Sequence, residues 1–281
     1  MRSLEGKVVV ITGAGSGIGR ALALQLAAQG SQLALCDVSA DNLQKTVEIA
    51  GAHGVKVYSA TVDVADRKAV QTFADNVERV LGKAHVIINN AGVALAQTVD
   101  HMKRSDFEWV MNINFYGVVN GTEAFLPHLK AQKDGHIVNI SSIFGIIGVP
   151  SQSAYNASKF AVKGFTEAMR QELKSSHPHI HVTCVHPGGI KTNIVRNGRI
   201  EEDMSGKQVS LSKMAADFDK MAGTTAEEAA RQIVRAIEKN TKRLLIGPDA
   251  KMLDLMQRLL PNHYDNVMGV GTKLLERLGK R

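Results

Sequence analysis

The fold is decided by a glycine-rich stretch near the amino terminus, Thr12-Gly13-Ala14-Gly15-Ser16-Gly17-Ile18-Gly19. The stretch directly follows an apolar, strand-like run at residues 7–12 and opens a helical pattern at residues 18–29. In this setting, backbone N–H groups gather at a helix N-terminus, where the helix dipole stabilises a pyrophosphate. The loop therefore predicts a dinucleotide-binding fold.

Strand and helix patterns alternate along the rest of the chain. Further strand-like runs lie at 33–36, 55–61, 86–89, 136–140, 182–185 and 244–246. Helical stretches lie between them at 41–52, 67–81, 104–130, 154–174 and 226–240. This alternation predicts an α/β fold, a Rossmann-like, doubly wound parallel sheet of seven strands with helices on both faces.

The domain organisation follows from where this alternation is interrupted. We expect one catalytic domain over residues 1–248, with the section at about 188–224 serving as a substrate loop. Residues 249–281 form an amphipathic C-terminal helical extension, which packs on the protein's own body or on a second subunit. Association with a membrane is the less favoured alternative. The apolar stripe of the extension consists of Met252, Leu253, Leu255, Met256, Leu259 and Leu260.

Composition narrows the class of protein. The 281 residues are 44% hydrophobic and 22% charged, as in globular proteins, with a net charge of +7. Residues 191–281 hold 17 Lys and Arg against 12 Asp and Glu, but the signs are mixed and aromatic residues are few. We therefore expect a solvated basic surface and no nucleic-acid partner.

Location and metal binding can also be predicted from the sequence. Both cysteines lie in apolar strand patterns, and we find neither a secretory leader nor eighteen consecutive apolar residues. These features predict a cytoplasmic protein. His177, His179 and His181 alternate along the chain without an adjacent acidic or cysteine partner, so we expect a solvated loop and no metal site.

Asp37 follows the second strand pattern, 24 positions after Gly13. An acidic residue at about this distance accepts hydrogen bonds from an adenosine ribose, and its charge repels a 2′-phosphate. NAD is therefore favoured over NADP. The alternative is that Asp37 caps the helix beginning near Asp41. Asp63-Val64, at the end of the third strand pattern, could likewise contact the adenine amino group or serve only as a turn.

Tyr155 and Lys159 are four residues apart on a predicted helix and therefore share one of its faces. An isolated phenol titrates near pH 10, too high for a base at neutral pH. We expect the Lys159 ammonium to lower that pKa. Ser142 follows the fifth strand pattern, so its hydroxyl and Tyr155 should meet at the carboxyl edge of the sheet, where ligands of open α/β folds bind.

With these motifs, the chain resembles the short-chain dehydrogenase/reductase family over roughly residues 5–247. The segments Asn89-Asn90-Ala91-Gly92 and Pro187-Gly188 and the residue Asn114 also match the family's order and spacing. The resemblance implies an NAD(P)-dependent oxidoreductase that acts on CH–OH groups. It also implies a homodimer or homotetramer assembled through the two long central helices.

The resemblance further implies a role for each site residue. Tyr155 acts as the general acid or base, and Lys159 assists it and bonds the nicotinamide ribose. Ser142 polarises the substrate oxygen, and Asn114 anchors a water that links Lys159 to solvent. The predicted cofactor site consists of Gly13, Ser16, Gly17, Ile18, Gly19, Asp37, Asp63, Val64, Asn90, Ala91, Gly92, Tyr155, Lys159, Pro187, Gly188, Ile190 and Thr192.

The expected substrate is a small-molecule secondary alcohol or ketone of hydrophobic character, because the residues that should line its pocket are mostly apolar. Two alternatives stay open: an NADPH-dependent carbonyl reductase, and a dinucleotide-binding regulator without catalysis. The predicted pocket wall consists of Val93, Leu95, Ile143, Phe144, Ile147, Val149, Gln152 and Ile190.

Overall fold

A seven-stranded sheet forms the centre of the structure, a computed structural model that describes residues 1, 3–200 and 210–266. Every neighbouring pair of strands is parallel, and the order is β7-β6-β5-β4-β1-β2-β3. The predicted fold class is confirmed. The strands are β1 (Val8–Thr12), β2 (Gln32–Asp37), β3 (Val57–Thr61), β4 (Val86–Asn89), β5 (Gly135–Ile140), β6 (Ile180–Pro187) and β7 (Arg243–Ile246).

Helices cover both faces of this sheet. On one face α1 packs against α2 and α8, and on the other α3 packs against α5 and α4 against α6. The helices of the described residues are α1 (Gly17–Ala28), α2 (Ala40–Gly51), α3 (Arg67–Leu81), α4 (Arg104–Met111), α5 (Gly117–Lys130), α6 (Ser153–Ser176), α7 (Leu211–Met221), α8 (Ala226–Glu238) and α9 (Pro248–Leu259).

Two elements differ from the prediction. The single helix expected at 104–130 is divided into α4 and α5 by a π-helical turn, Asn112–Tyr116. The section at 188–224 is not irregular throughout, since it contains α7 and two-residue strands at Ile190–Lys191 and Thr224–Thr225.

The core explains why the strands read as continuous apolar runs. Successive side chains of a strand point to opposite faces. Val9 and Ile11 of β1 belong to the core cluster under α1 and α8, whereas Val8 and Val10 belong to the cluster under α3 and α5. Each large apolar side chain buried in this way contributes about 1.5–3 kcal/mol. Burial on both faces fixes the register and aligns the carboxyl ends at one edge.

The strand order reverses between β1 and β4, because the chain leaves β3 at one side of the sheet and resumes at β4 beside β1. At such a switch point the flanking connections diverge and leave a crevice outside the carboxyl ends of the strands. The glycine loop after Thr12 and the segment after Asn89 both begin at this point.

The C-terminal helix α9 is attached to the body by ion pairs as well as by apolar packing. The buried Asp254 pairs with Arg243 of β7 and with Arg258. The predicted apolar stripe largely faces outward, since Met252 and Leu259 are more than half exposed. Residues 267–281 of the predicted extension lie outside the described residues, and the division at residue 248 stays a prediction. Among the described residues, no helix combines the length and apolarity needed to cross a membrane.

Candidate active site

The glycine loop lies close to the segment that follows β4. Gly13 and Gly17 have φ angles of +65° and +51°, a conformation that side-chain-bearing residues rarely adopt. A Cβ atom on Gly13 would stand 2.8 Å from the Cα of Ala91. Helix α1 begins at Gly17, and the hydroxyl of Ser16 makes no capping bond within the described part of the chain. The first N–H groups of α1 and this hydroxyl can therefore bind an anion.

Asn90 supports this loop from the side of β4. Its amide Nδ2 donates to the carbonyls of Thr12 (2.9 Å) and Gly13 (3.1 Å). In return, the Thr12 hydroxyl accepts the backbone N–H groups of Asn90 and Ala91, each at 3.0 Å. Asn90, predicted to bind the cofactor, thus holds the shape of the loop.

Asp37 lies at the end of β2 directly beside the loop. Its Oδ2 accepts the N–H of Gly15 at 2.8 Å, and its Oδ1 accepts the N–H of Ser39 at 2.9 Å. Ser39, not Asp37, occupies the N-cap position of α2, so the capping alternative is wrong. Each carboxylate oxygen keeps a further lone pair for a ligand hydroxyl.

Arg20 is a loop-supporting residue that the sequence analysis missed. Its guanidinium donates to the carbonyls of Gly15 and Asn42, and its Nε donates to the hydroxyl of Thr46 at 2.9 Å. The sequence offered no signal for it, because an arginine one turn into a helix is an ordinary surface residue.

Asp63 and Val64 form a turn, as in the interpretation that did not involve the adenine amino group. Asp63 is exposed, and its Oδ1 accepts the N–H of Ala65 at 2.9 Å. Val64 is buried, and its carbonyl accepts a hydrogen bond from the Asn120 side chain. The carboxylate is thus already engaged in the local turn.

Ser142, Tyr155 and Lys159 meet at the carboxyl edge of the sheet. Tyr155 and Lys159 lie on one face of α6, and the Lys159 Nζ stands 5.8 Å from the centroid of the Tyr155 ring. The same Nζ donates to the Ile140 carbonyl at 3.1 Å. Ser142 lies two residues beyond the end of β5, and its side chain acts to lower the pKa of the Tyr155 phenol. The predicted side chains are therefore brought together.

The protonation of this group differs from the prediction. Burial raises the pKa of the Tyr155 phenol to about 12, although the hydrogen bond with Ser142 acts in the opposite direction. Burial also lowers the pKa of the Lys159 ammonium to about 8. The expected lowering of the Tyr155 pKa by Lys159 is not found in this structure, because burial raises the pKa and the opposing contribution comes from Ser142 and not from the ammonium. At neutral pH the phenol keeps its proton and the amine is largely cationic.

Asn114 lies in the π-helical turn Asn112–Tyr116 and is fully buried. Its Oδ1 accepts the N–H of Val93 at 2.8 Å, and its Nδ2 donates to the Val93 carbonyl at 3.0 Å. A Cβ on Gly92 would stand 3.1 Å from this Oδ1 and 3.4 Å from the Lys159 Nζ. Asn114 and Lys159 therefore flank the same backbone position, where any side chain would crowd them.

Asn156 organises the loop that follows Ser142, which no spacing rule predicted. Its Nδ2 donates to the carbonyls of Phe144 and Ile147, both at 2.7 Å. Its Oδ1 accepts the N–H of Val149 at 3.1 Å. The residue next to Tyr155 thus holds the loop from which Phe144 contacts the Tyr155 ring.

His186 is a third residue that the sequence analysis missed. The fully buried ring donates from Nδ1 to the Ser142 carbonyl at 3.1 Å. Burial lowers the pKa of this imidazole to about 4, so it is neutral at physiological pH. Its position before Pro187 gave no hint of a contact with the Ser142 backbone.

The segment after β6 runs from Pro187 towards the glycine loop. A Cβ on Gly17 would stand 3.1 Å from the side chain of Thr192, so these two residues face each other. Ile190 is only 4% exposed and belongs to the core cluster under α8, not to the cluster that contains Tyr155. Its backbone pairs with Thr224, which anchors the segment in the body of the protein.

The surroundings of Tyr155 are apolar. Leu95 and Val93 pack in its cluster, and the ring of Phe144 meets the phenol edge to face. The predicted wall residues Ile143, Ile147 and Val149 instead pack against α9.

The three clustered histidines do not lie in a solvated loop throughout, since His181 is on β6. The described residues contain no group of three His, Cys, Asp or Glu side chains suited to a metal ion.

The chain is similar to proteins of one family in both sequence and structure. Residues 7–203 match the short chain dehydrogenase family. SadH of Mycobacterium tuberculosis, whose name describes an oxidoreductase, is 50% identical over 272 residues, which cover 96% of this chain and 97% of SadH. The 3-oxoacyl-[acyl-carrier-protein] reductase FabG of Thermotoga maritima is 39% identical over 189 residues, which cover 67% of this chain and 76% of FabG.

A solved structure extends the similarity to the fold. The crystal structure of a short-chain dehydrogenase/reductase from Burkholderia phymatum in complex with NAD has a TM-score of 0.86 and 30% sequence identity. The match covers 92% of this chain and 95% of that protein. The chain belongs to the short-chain dehydrogenase/reductase family, whose members are oxidoreductases that bind NAD(P) and act on small molecules.

Proposed function

We propose that the protein is an NAD(H)-dependent oxidoreductase that interconverts an apolar secondary alcohol and its ketone. One observation carries the proposal: Ser142, Tyr155 and Lys159 meet at the same sheet edge as the glycine loop. A protein that only bound a dinucleotide would have no use for a buried phenol beside a buried amine. The experiments below distinguish this proposal from the two alternatives, an NADPH-dependent carbonyl reductase and a dinucleotide-binding regulator without catalysis.

The nucleotide end of the site is better suited to NAD than to NADP. Asp37 presents a carboxylate where the adenosine ribose of a dinucleotide is expected, and Val38, which follows it, is apolar and exposed. The nearby cation, Arg20, is engaged with the Gly15 carbonyl and the Thr46 hydroxyl. A 2′-phosphate would therefore meet the negative charge of Asp37, while Arg20 has three donor contacts committed to neutral oxygens.

The chemistry assigned to each side chain follows from its protonation. A bound nicotinamide supplies or accepts the hydride. The protonated Tyr155 phenol can donate to the oxygen of a ketone, and the Ser142 hydroxyl can hold that oxygen. The Lys159 ammonium, close to the ring, stabilises the phenolate that remains. In alcohol oxidation the same groups act in the reverse direction.

We assign to Asn114 a role in supplying protons from solvent to Lys159. Its Oδ1 accepts one hydrogen bond from Val93 and keeps a second lone pair on the side of Gly92 and Lys159. A water held there would connect the amine to solvent. The apolar surroundings of Tyr155, formed by Val93, Leu95 and Phe144, favour a hydrophobic substrate, and the similarity to FabG supports a ketone as the oxidised form.

Replacing Tyr155 by Phe tests the mechanism. We expect kcat for oxidation of apolar secondary alcohols, followed as NADH absorbance, to fall by about 10²- to 10⁴-fold, because proton transfer is lost. The dissociation constant of NADH, measured by protein fluorescence, should change by less than about threefold. Tyr58→Phe, in a ring stacked on Phe73, is the matched control and should keep both values. Comparable turnover in Tyr155→Phe contradicts the mechanism, and NADH binding without any turnover by the wild type favours the regulator.

Cofactor preference is tested by comparing NADH and NADPH binding. We expect the wild type to bind NADH at least about tenfold more tightly, which corresponds to roughly 1.4 kcal/mol. Asp37→Asn removes the charge but leaves an oxygen that can accept the Gly15 N–H. The difference between the NADH and NADPH dissociation constants should therefore decrease, chiefly because NADPH binding improves. Tighter binding of NADPH by the wild type contradicts the NAD assignment and favours the carbonyl reductase alternative.

A further inference from the structure

The first turn of helix α9 contacts the loop that follows β6. The Oδ2 of Asp249 accepts the backbone N–H of Gly189 at 2.7 Å. Asp249 lies 46 residues beyond the end of the family match at residue 203, and no motif in the sequence pointed to it. In the sequence it has the ordinary character of an acidic residue near a helix N-terminus.

The carboxylate of Asp249 fits a notch made of glycines. A Cβ atom on Gly188 would overlap this carboxylate, and its three nearest neighbours would all be atoms of Asp249. A Cβ on Gly247 would also overlap it. Any larger residue at position 188 would therefore displace Asp249. The loop and the side chain are complementary in shape as well as in hydrogen bonding.

Two other backbone groups of this loop are already paired. The N–H of Gly188 donates to the Ile246 carbonyl at 2.9 Å, and the Gly189 carbonyl accepts the N–H of Thr224 at 3.3 Å. The Gly189 N–H is left to Asp249. Loss of the carboxylate would remove the acceptor that fixes the orientation of this peptide unit.

The segment held in this way leads directly to the nucleotide end of the site. From Gly189 the chain continues through the buried Ile190 to Thr192, which faces Gly17 at the start of α1. Asp249 and Gly17 thus lie at opposite ends of one short segment. A change in the Gly189 peptide would move Thr192 relative to the anion-binding end of α1.

We infer that Asp249 is a positioning residue that holds the segment Pro187–Thr192 against the glycine loop in the geometry that binds the dinucleotide. The inference rests on the proposed function, because it takes the molecule bound between Gly17 and Thr192 to be that dinucleotide. Helix α9 thereby contributes to the cofactor site, although the motifs of the site end at Thr192.

The test compares Asp249→Ala with Asp249→Asn. The alanine variant should bind NADH about tenfold more weakly by fluorescence titration, since a hydrogen bond to a charged acceptor is lost. The asparagine variant keeps an acceptor oxygen and should stay within about threefold of the wild type. Hydrogen exchange of the peptide containing Gly189, measured without cofactor, should accelerate in the alanine variant only. At saturating NAD, kcat should change much less than KM for NAD.

Asp254→Ala is the matched control, because Asp254 lies on the same helix but pairs with Arg243 and Arg258 instead. We expect it to lower Tm and leave the NADH dissociation constant unchanged. A double-mutant cycle adds a steric test. Gly188→Ala should weaken NADH binding more in the wild type than in Asp249→Ala, where the overlapping carboxylate is absent.

Two outcomes overturn the inference alone: unchanged NADH binding and exchange in Asp249→Ala, or an equal loss of binding in Asp254→Ala. The second outcome would mean that α9 acts only through stability. If the wild type binds neither NADH nor NADPH, the proposed function fails as well. That failure is recognised by the wild-type titration before any variant is compared.

Discussion

At the scale of single residues, the loop between Ser142 and α6 depends on one side chain. Asn156 supplies two donors and one acceptor to backbone groups of residues 144, 147 and 149, which its neighbours leave unpaired. Because buried backbone groups without partners are costly, this single amide fixes the loop's path. The loop in turn sets the position of Phe144 against Tyr155.

Asn156→Ala should therefore affect both stability and substrate binding. We expect the free energy of unfolding in urea to fall by about 2–4 kcal/mol, because three backbone groups lose their partner. KM for the alcohol should rise as Phe144 shifts, while the NADH dissociation constant stays close to that of the wild type. Asn76→Ala on helix α3 is the control. Among the described residues its side chain bonds Arg79 alone, on the surface, so the substitution should cause no loss of stability. An Asn156→Ala protein as stable as the wild type contradicts this account of the loop.

Residue spacing predicted which side chains would meet, but not their protonation. The interval of four residues was enough to put Tyr155 and Lys159 on one helical face. The pKa of Tyr155 depends on how completely the phenol is removed from water, and tertiary packing decides that. For the same reason His186 and Asp249 were missed, since each contacts a backbone group far away in sequence.

At the scale of elements, apolar periodicity predicted the strands and most helices to within a few residues. It failed at the helix expected for 104–130, where the π-helical turn Asn112–Tyr116 inserts one extra residue per turn. A periodicity argument averages over such a turn. The turn nevertheless matters for the site, because it rotates Asn114 towards Val93. Here the departure from regular structure coincides with a site residue.

The C-terminal helix α9 shows a second way in which the periodicity argument is limited. The stripe that was predicted to pack on the protein's own body or on a second subunit is largely exposed on this chain, and α9 turns Ala250 and Asp254 inward. Asp254 is held by Arg243, a strand residue that sequence periodicity does not connect with it. A pattern can predict that a helix is amphipathic, but it cannot identify which face a neighbouring strand will cover. The homodimer or homotetramer that the family resemblance implies stays a prediction.

At the scale of the whole molecule, the two ends of the sheet differ in chemistry. The carboxyl edge bears the site, whereas several partly or fully buried histidines lie near the amino edge. The Nδ1 atoms of His85 and His128 accept the backbone N–H groups of Val8 (3.2 Å) and Ala84 (3.3 Å). A ring nitrogen that accepts such a bond carries no proton, so these contacts require neutral imidazoles.

The fully buried His136 adds to this dependence on neutral rings. It bonds the Thr183 hydroxyl at 2.8 Å, and burial, with the nearby His181 ring contributing less, lowers its pKa to about 3. Burial also lowers the pKa values of His85, His128 and His181, and that of His186 to about 4. The folded protein therefore resists protonation at positions that an unfolded chain protonates near pH 6.5.

These histidines should make the protein less stable in mild acid. Below pH 6.5 the unfolded chain takes up protons that the folded chain does not, so stability falls with pH until the folded pKa values near 3–4 are reached. Each fully shifted histidine contributes roughly 1.4 kcal/mol per pH unit within this window. Asp106 and Asp254, whose pKa values are lowered by hydrogen bonds and ion pairs with arginine, do not offset the loss, because the stability that a carboxylate with a lowered pKa contributes also decreases as the pH falls.

Urea unfolding at pH 7, 6 and 5 measures this dependence. We expect the free energy of unfolding to decrease steadily over the three values, and His136→Gln to make the decrease shallower, because that position no longer titrates. His53→Gln is the control: the side chain is exposed, so its replacement should leave the slope unchanged. A profile that is flat between pH 7 and 5, or an identical slope in His136→Gln, would show that the folded protein admits these protons as readily as the unfolded chain does.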